Sequence, residues 1–342
     1  EHPTLWRVTP LYVGSALSEP ITTSIGCPQG SLLSPLIFLI YIADIDLWIK
    51  HCRLSGYADD TVSSYSSADE NEVIDKLESD AVKILQFMSS NSLVANSKKT
   101  GFLLIRNGKQ TPLRSVMIGG EKIEEESEQK ILGVTLSNKL TWDSHTHGKN
   151  GLISSINQRT GALKRLSYHI PRKYLPPITT SLVVLKVRYC LGIYGQVRMS
   201  SDEPRNGKFH EIQVAVNKAL RIAAGKRLSD KISTKNLCES VNIMPINQLC
   251  AVDKLSLAWN ARNNPTLPTH EYFSATTGTE GRASRSKINC EIRQSALTTI
   301  GQSNLPYTAI RLWNKSDSEI RSCTHRKLPK AAIKKFAKSL PI

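Results

Sequence analysis

Residues 36–43, LIFLIYIA, are the longest apolar run in the chain, and Asp44 and Asp46 follow it at once. The run is far short of the ~20 residues needed to cross a bilayer, so it predicts a helix packed into a protein core, extending from Leu36 to Ile49. The stretch ahead of it, GCPQGSLLSP at 26–35, has two glycines and two prolines and starts as a loop. Ser31 and Ser34 are N-cap candidates for the helix, and Pro35 is tolerated in its first turn.

The surrounding pattern is mixed. LYVG and ITTSIG, between residues 11 and 26, are short β-prone runs. RLSGYADDTVSSYS, 53–66, predicts a hairpin whose tip carries the adjacent aspartates Asp59 and Asp60. In 70–90 the side chains of Val73, Ile74, Leu77, Ala81, Ile84, Leu85 and Met88 share one face at helical spacing. NSKKTGFLLI (96–105) predicts a loop entering a strand, LRSVMIGGEKIEE a hairpin about Gly119-Gly120, and KILGVTL (130–136) a further strand. This order predicts an α+β domain on an antiparallel sheet. From about 148 the chain turns helical. GLISSINQRTGALKRLSYHI is basic and amphipathic, RKYLPPITTSLVVLKVRYCLGIYG is apolar with a Pro-Pro interruption, and KFHEIQVAVNKALRIAAG repeats apolar residues at Ile212, Val216, Ala219, Leu220 and Ile222. Residues 229–342 hold one apolar patch, INQLCAVDKLSLAW, and a basic tail, HRKLPKAAIKKFAKSL.

The net charge of +16 is divided very unequally: residues 1–150 carry −4 and residues 151–342 carry +20. Such a block favours a polyanionic partner, because Lys and Arg displace the counterions condensed on phosphate. The seven cysteines are scattered, with no C-x-x-C pair, which argues for reduced thiols in a nuclear or cytoplasmic setting rather than a disulfide framework. Cys323 with His325, and Asp143 with His145 and His147, lack the ligand count and spacing of a zinc site and are expected to hold no metal. No signal peptide or membrane span is expected.

The Asp pair is unusual for a hairpin, since strands are depleted in Asp and like charges repel. A hard divalent cation would relieve that repulsion. Alone, Ala-Asp-Asp is also ordinary turn chemistry. In context, GCPQGSLLSPLIFLIYIADI followed about fifteen residues later by YADD resembles two successive motifs of reverse transcriptases, most closely those of non-LTR (LINE-type, jockey/CR1-like) retrotransposons. NSLVANSKKTGFLLI, KILGVTLSNKLTW, VAVNKALRIAAG and YTAIRLWNKSDSEIR continue the resemblance in order. It implies an α+β polymerase palm, an antiparallel sheet with packed helices, over 1–145. It further implies a helical thumb over 146–228 and a mostly α, basic C-terminal extension over 229–342.

The resemblance assigns roles residue by residue. Asp59 is the main and Asp60 the supporting ligand of Mg²⁺ or Mn²⁺, and Lys99 is a proton donor to departing pyrophosphate. Pro28, Gln29, Gly30, Ser31, Tyr57 and Ala58 lie against the nucleotide, template and primer end, and Leu132 with Gly133 forms the primer grip. The basic thumb supplies Lys164, Arg165, Arg172, Lys173, Lys186 and Arg188 as phosphate contacts, and the tail lysines Lys327, Lys330, Lys334, Lys335 and Lys338 either touch RNA or solvate a helix. The implied partners are an RNA template, a DNA primer and deoxynucleoside triphosphates, and the implied reaction is RNA-templated DNA synthesis. One departure stands out. The family carries a further catalytic aspartate upstream of Pro-Gln-Gly-Ser, whereas residues 1–25 contain only Glu1 and Glu19. That motif is expected before residue 1, and the 342 residues by themselves are expected to be catalytically incompetent or nearly so. The rivals are an inactive nucleic-acid-binding remnant or domesticated protein, and a metal-free structural scaffold of the same shape.

Overall fold

Asp69 opens the longest helix of the described chain, Glu70–Ser90, by accepting a hydrogen bond from the Asn71 N–H at 2.9 Å. Glu70 and Glu72 in the first turn complement the helix dipole. This is a computed structural model, and it describes residues 7–9, 12–13, 15–19, 21–23, 30–106, 112–203, 207–273, 305–323 and 328–342. The chain divides into two units, Glu1–Leu132 and Gly133–Ile342, where a three-part division at 145 and 228 was expected.

In the first unit the expected apolar face of Glu70–Ser90 is half-buried, and its fully buried line is Val73, Asp80 and Phe87. Val73 packs with Phe102, Leu104 and Val116 in a small core. The Gly119-Gly120 hairpin forms as the sequence predicts. Ser115–Ile118 pairs antiparallel with Glu121–Glu124, and Ile118 opposes Glu121 directly. The two-residue loop left between them has φ of 60° at Gly119 and 84° at Gly120, the pair of left-handed residues that a type I′ turn requires. Gly119 is constrained twice, because a Cβ there would stand 2.8 Å from Leu85 Cδ1 on the long helix. A buried ion pair closes the far side of this core. Arg106 grips the Glu125 carboxylate with both terminal nitrogens, at 2.5 and 2.9 Å, and its Nε reaches Glu70 at 3.0 Å.

Several expectations need correction here. The apolar run does not make a buried helix over 36–49. The helix is Ser34–Tyr41, followed by a 3₁₀ turn at Ile45–Leu47, and none of its residues is buried. Leu36 (55%) and Ile40 (68%) remain exposed. Apolar composition sets the demand for burial, but burial needs a facing element. Among the described residues, the ties from this segment to Glu70–Ser90 are the Tyr41 hydroxyl donating to the Asn91 carbonyl and the edge of Trp48 against Phe87. The expected antiparallel pairing is present, but among the described residues the strands pair two by two rather than in one sheet, as in Arg7–Thr9 with Ile21–Thr23, Tyr12–Val13 with Ala16–Leu17 and Arg53–Tyr57 with Asp60–Ser64. Residues 96–105 contain a 3₁₀ turn, Ser97–Lys99, and one isolated bridge from Phe102 to Glu125 in place of a strand. The strand predicted at 130–136 is two, Glu128–Ile131 and Val134–Ser137, broken by left-handed Leu132 (φ 47°) and Gly133 (φ 81°).

The second unit is helical, as expected. Leu152–Leu166 packs along Gly207–Ala224, and both feed a core that includes Ile156, Leu163, Ile212, Val216 and Leu220. The Pro-Pro pair starts a helix rather than interrupting one. Pro176 and Pro177 occupy the first turn of Leu175–Thr179, where missing N–H groups cost nothing, and a π-helical turn, Thr180–Val184, follows. The apolar patch becomes Ile246–Asn263. Its first turns bury Ile246, Leu249 and Cys250 in that core, while Leu255, Ala258 and Trp259 face a second core built with Leu312, Trp313, Ile333 and Phe336. The basic tail is the amphipathic helix Lys330–Ser339, with Lys334, Lys335 and Lys338 outward. Among the described residues no helix is long and apolar enough to cross a membrane.

Lys254 is fully buried at the heart of this unit. Its Nζ donates to the Gly192 carbonyl at 2.9 Å and to Thr308 Oγ1 at 2.8 Å. Burial holds its pKa below the ordinary lysine value. The unfolded chain therefore binds more protons between the folded and unfolded pKa, and stability rises with pH across that window. The thiols Cys238 and Cys250, pushed up by burial to about 11 and about 12, act in the opposite direction above pH ~9. In thermal melts taken through mildly alkaline pH, Lys254→Met is expected to lose the lysine's stabilising slope and keep the thiols' falling one. Identical slopes in the two proteins would show that Lys254 titrates normally.

Candidate active site

Arg53–Tyr57 and Asp60–Ser64 form a hairpin in which Tyr57 opposes Asp60, so Ala58 and Asp59 are its two-residue tip. Tyr57, Ala58, Asp59 and Asp60 are all exposed, and two carboxylates follow one another where the chain reverses. Ala58 has φ of 52°, a left-handed conformation that costs a residue with a Cβ about 1–2 kcal/mol. Ala58→Gly is expected to relieve that strain, less the ~0.4–1 kcal/mol that glycine's unfolded freedom takes back. Hydrogen exchange at the hairpin amides should slow by about two- to fivefold; faster exchange would show that the alanine is unstrained.

The hairpin is anchored from beneath by a residue that sequence reasoning missed. Asp80, 1% exposed, accepts three backbone N–H groups, from Lys50 at 3.2 Å, His51 at 2.8 Å and Cys52 at 2.7 Å. These residues lead directly into Arg53–Tyr57. Burial alone would raise the Asp80 carboxyl, but the three donors outweigh it and hold its pKa below the usual carboxylate range. The signal was available: Asp80 lies seven residues from both Val73 and Phe87, on the most buried line of an otherwise amphipathic helix. Cys52 sits in the same place, its thiol raised by burial and by the Asp80 carboxylate.

The other expected site residues are distributed as follows. Gly30 (φ 84°) and Ser31 lie just before the Ser34–Tyr41 helix, and the Ser31 hydroxyl accepts from the Leu33 N–H at 3.2 Å. Neither expected N-cap serine caps the helix, whose N-cap position is Leu33. Pro28 and Gln29 lie outside the described residues. Lys99 ends the Ser97–Lys99 turn with an exposed side chain. Leu132 closes the first unit and Gly133 opens the second. In the second unit Lys164, Arg165, Arg172 and Lys173 are exposed and Lys186 is half-buried. Arg188 is not free for phosphate, since Asp253 holds it at 2.5 Å.

Two carboxylates at an exposed tip fit the share of ligands that protein supplies to Mg²⁺, which takes few carboxylates and completes its shell with water and substrate phosphate. Among the described residues, no group of three or more His, Cys, Asp and Glu side chains is placed to hold a metal. The Asp143–His147 cluster is engaged elsewhere: Asp143 pairs with Lys208 at 2.5 Å, His147 with Glu211 at 3.1 Å, and the His145 ring meets the edge of Tyr194. Cys323 is a free thiol whose carbonyl accepts from Trp259 Nε1 at 3.0 Å, and His325 lies outside the described residues.

Residues 3–136 match the family described as reverse transcriptase (RNA-dependent DNA polymerase). A Drosophila melanogaster protein described as a probable RNA-directed DNA polymerase from transposon X-element is 29% identical over 136 residues, covering 38% of this chain and 15% of the relative. A second from that organism, described likewise for transposon BS, is 28% identical over 141 residues, covering 39% and 16%. The matched part thus spans about a sixth of the length of these curated relatives. No solved structure matches the chain.

Proposed function

We propose, from the match of residues 3–136 to the reverse transcriptase family, that the chain is a palm and thumb portion of a non-LTR retrotransposon polymerase that copies RNA into DNA. The observation that carries this is the exposed Tyr57–Asp60 tip, with two adjacent carboxylates inside the matched segment. Asp59 and Asp60 would hold Mg²⁺ or Mn²⁺. The cation, when bound, supplies Lewis-acid stabilisation of the attacking and leaving oxygens. The chain's own residues do the rest. Tyr57 and Ala58 flank the carboxylates and would floor the primer terminus, with Pro28, Gln29, Gly30 and Ser31 against nucleotide and template. Lys99 would neutralise or protonate departing pyrophosphate, and Leu132 with Gly133 would hold the primer end. Residues 146–228 of the second unit would act as the thumb, with Lys164, Arg165, Arg172, Lys173 and Lys186 contacting phosphates without reading sequence. Such a protein works on nucleic acid in the nucleus or cytoplasm.

The test is primer extension on an RNA template with deoxynucleotides and Mg²⁺, run on the longest open reading frame that contains these residues. Incorporation dependent on template and on Asp59 supports the polymerase. Salt-sensitive nucleic-acid binding with no incorporation would replace it with the non-catalytic remnant.

A further inference from the structure

The excess positive charge of the second unit is concentrated where two segments meet. Residues 164–174 and 218–231 together hold nine Lys and Arg and a single acidic residue, Asp230. Helix Gly207–Ala224 ends at Gly225, whose φ of 65° turns the chain back. A Cβ at Gly225 would stand 2.9 Å from a terminal nitrogen of Arg172, so the turn after Leu152–Leu166 lies against this loop.

Not every charge here faces outward to a ligand. The Arg221 guanidinium donates to the carbonyls of Arg227 at 3.3 Å and Asp230 at 3.0 Å, fastening the loop. The Asp230 carboxylate accepts from the Arg227 N–H at 2.9 Å. Of the other eight, Lys218 and Lys231 lie outside the 164–174 turn and the 225–227 loop; Lys164, Arg165, Arg172, Lys173, Lys226 and Arg227 lie within them, all six are exposed, and none is in an ion pair among the described residues. Two exposed tyrosines interleave with them, Tyr168 at 75% and Tyr174 at 50%, and the Lys173 ammonium lies 5.0 Å over the Tyr174 ring. A duplex presents phosphate to such a surface and keeps its base faces stacked inside. Rings standing among phosphate ligands suit a strand whose bases are free to stack on them.

We propose that the 164–174 turn and the 225–227 loop form a binding face for single-stranded nucleic acid, with the six cations following phosphates and Tyr168 and Tyr174 stacking on bases. This deepens the thumb assignment and rests on it, and it selects one surface and one strand state. Lys226, Arg227 and both tyrosines join the expected set, and Arg188 leaves it.

The experiment is fluorescence anisotropy of the full chain with labelled oligouridine and with an RNA–DNA duplex of equal length, across a salt series. Lys226→Ala combined with Arg227→Ala is expected to weaken oligouridine binding at least about tenfold and to reduce the log–log salt slope by about 1.4, at ~0.7 per contact. Tyr168→Leu and Tyr174→Leu should each weaken it by about fivefold or more with the slope unchanged and duplex binding unaffected. Lys76→Ala with Lys83→Ala, on the Glu70–Ser90 helix of the first unit, should change neither. Circular dichroism melts of each variant exclude misfolding. Oligouridine affinity indifferent to the loop and the tyrosines overturns the proposal while leaving the thumb assignment intact. So does a duplex affinity that falls equally in the tyrosine variants. Absence of binding to either nucleic acid overturns both, as would binding only to phosphatidylserine vesicles through exposed Leu228.

Discussion

Asp59→Asn is expected to lower RNA-templated primer extension by about a thousandfold or more, a loss of ~4 kcal/mol of transition-state stabilisation. The substitution is nearly isosteric and falls on an exposed residue at the hairpin tip, so folding should be untouched and melting unchanged. What it removes is a charge. An amide oxygen is a far weaker ligand for a hard divalent cation than a carboxylate, and the step in question develops charge on oxygens that such a cation would offset. Asp60→Asn should cost less, because Asp60 is paired into the strand opposite Tyr57 and is the supporting ligand. Neither change should weaken binding to the 164–174 and 225–227 face. The assay compares incorporation by both variants with that of the unsubstituted reading frame at matched template occupancy. Equal incorporation by Asp59→Asn would remove Asp59 from the chemistry, and with it the observation that carries the polymerase assignment.

The hairpin was legible because its signal is local: two β-prone runs and a turn fix the pairing without help from distant residues. The Gly119-Gly120 hairpin and the helix beginning at Glu70 were legible for the same reason, through a glycine pair and the spacing of apolar residues from Val73 to Met88; the Asp69 cap was not read. The residues that failed were those whose state depends on what faces them. LIFLIYIA reads as core because it is apolar, yet Leu36 and Ile40 are exposed, since hydropathy says nothing about which element covers a face. Phe102 and Leu104 alternate like a strand and are buried like one, but one isolated bridge replaces the ladder. Leu132 looked like strand interior, although the Gly after it marked a turn. Among the basic residues of the second unit, Arg188 and Arg172 are indistinguishable as letters. Only the fold pairs the first with Asp253 and lays the second against Gly225.

Asp80→Ala should destabilise the first unit by about 2–4 kcal/mol. The alanine leaves the N–H groups of Lys50, His51 and Cys52 without their acceptor. Lys50 and His51 are exposed enough for water to compensate in part, while Cys52 is half-buried, which places the cost below three full desolvation penalties. Asp80→Asn keeps one acceptor oxygen and should lose about half as much. The pH signature separates charge from packing. The folded pKa of Asp80 lies below its unfolded value near ~4, so its contribution is complete above that value and disappears as pH falls through the folded pKa. Glu125, drawn down by Arg106 against the opposing effect of burial, has the same sign. Acid unfolding of the native protein should therefore steepen below pH ~4, and the Asp80→Asn protein should lose part of that slope and keep the share due to Glu125. Because Asp80 holds the residues that enter Arg53–Tyr57, primer extension by Asp80→Asn should also fall, by far less than with Asp59→Asn. An acid profile identical to the native one would mean that the carboxylate under the hairpin carries no charge in the fold.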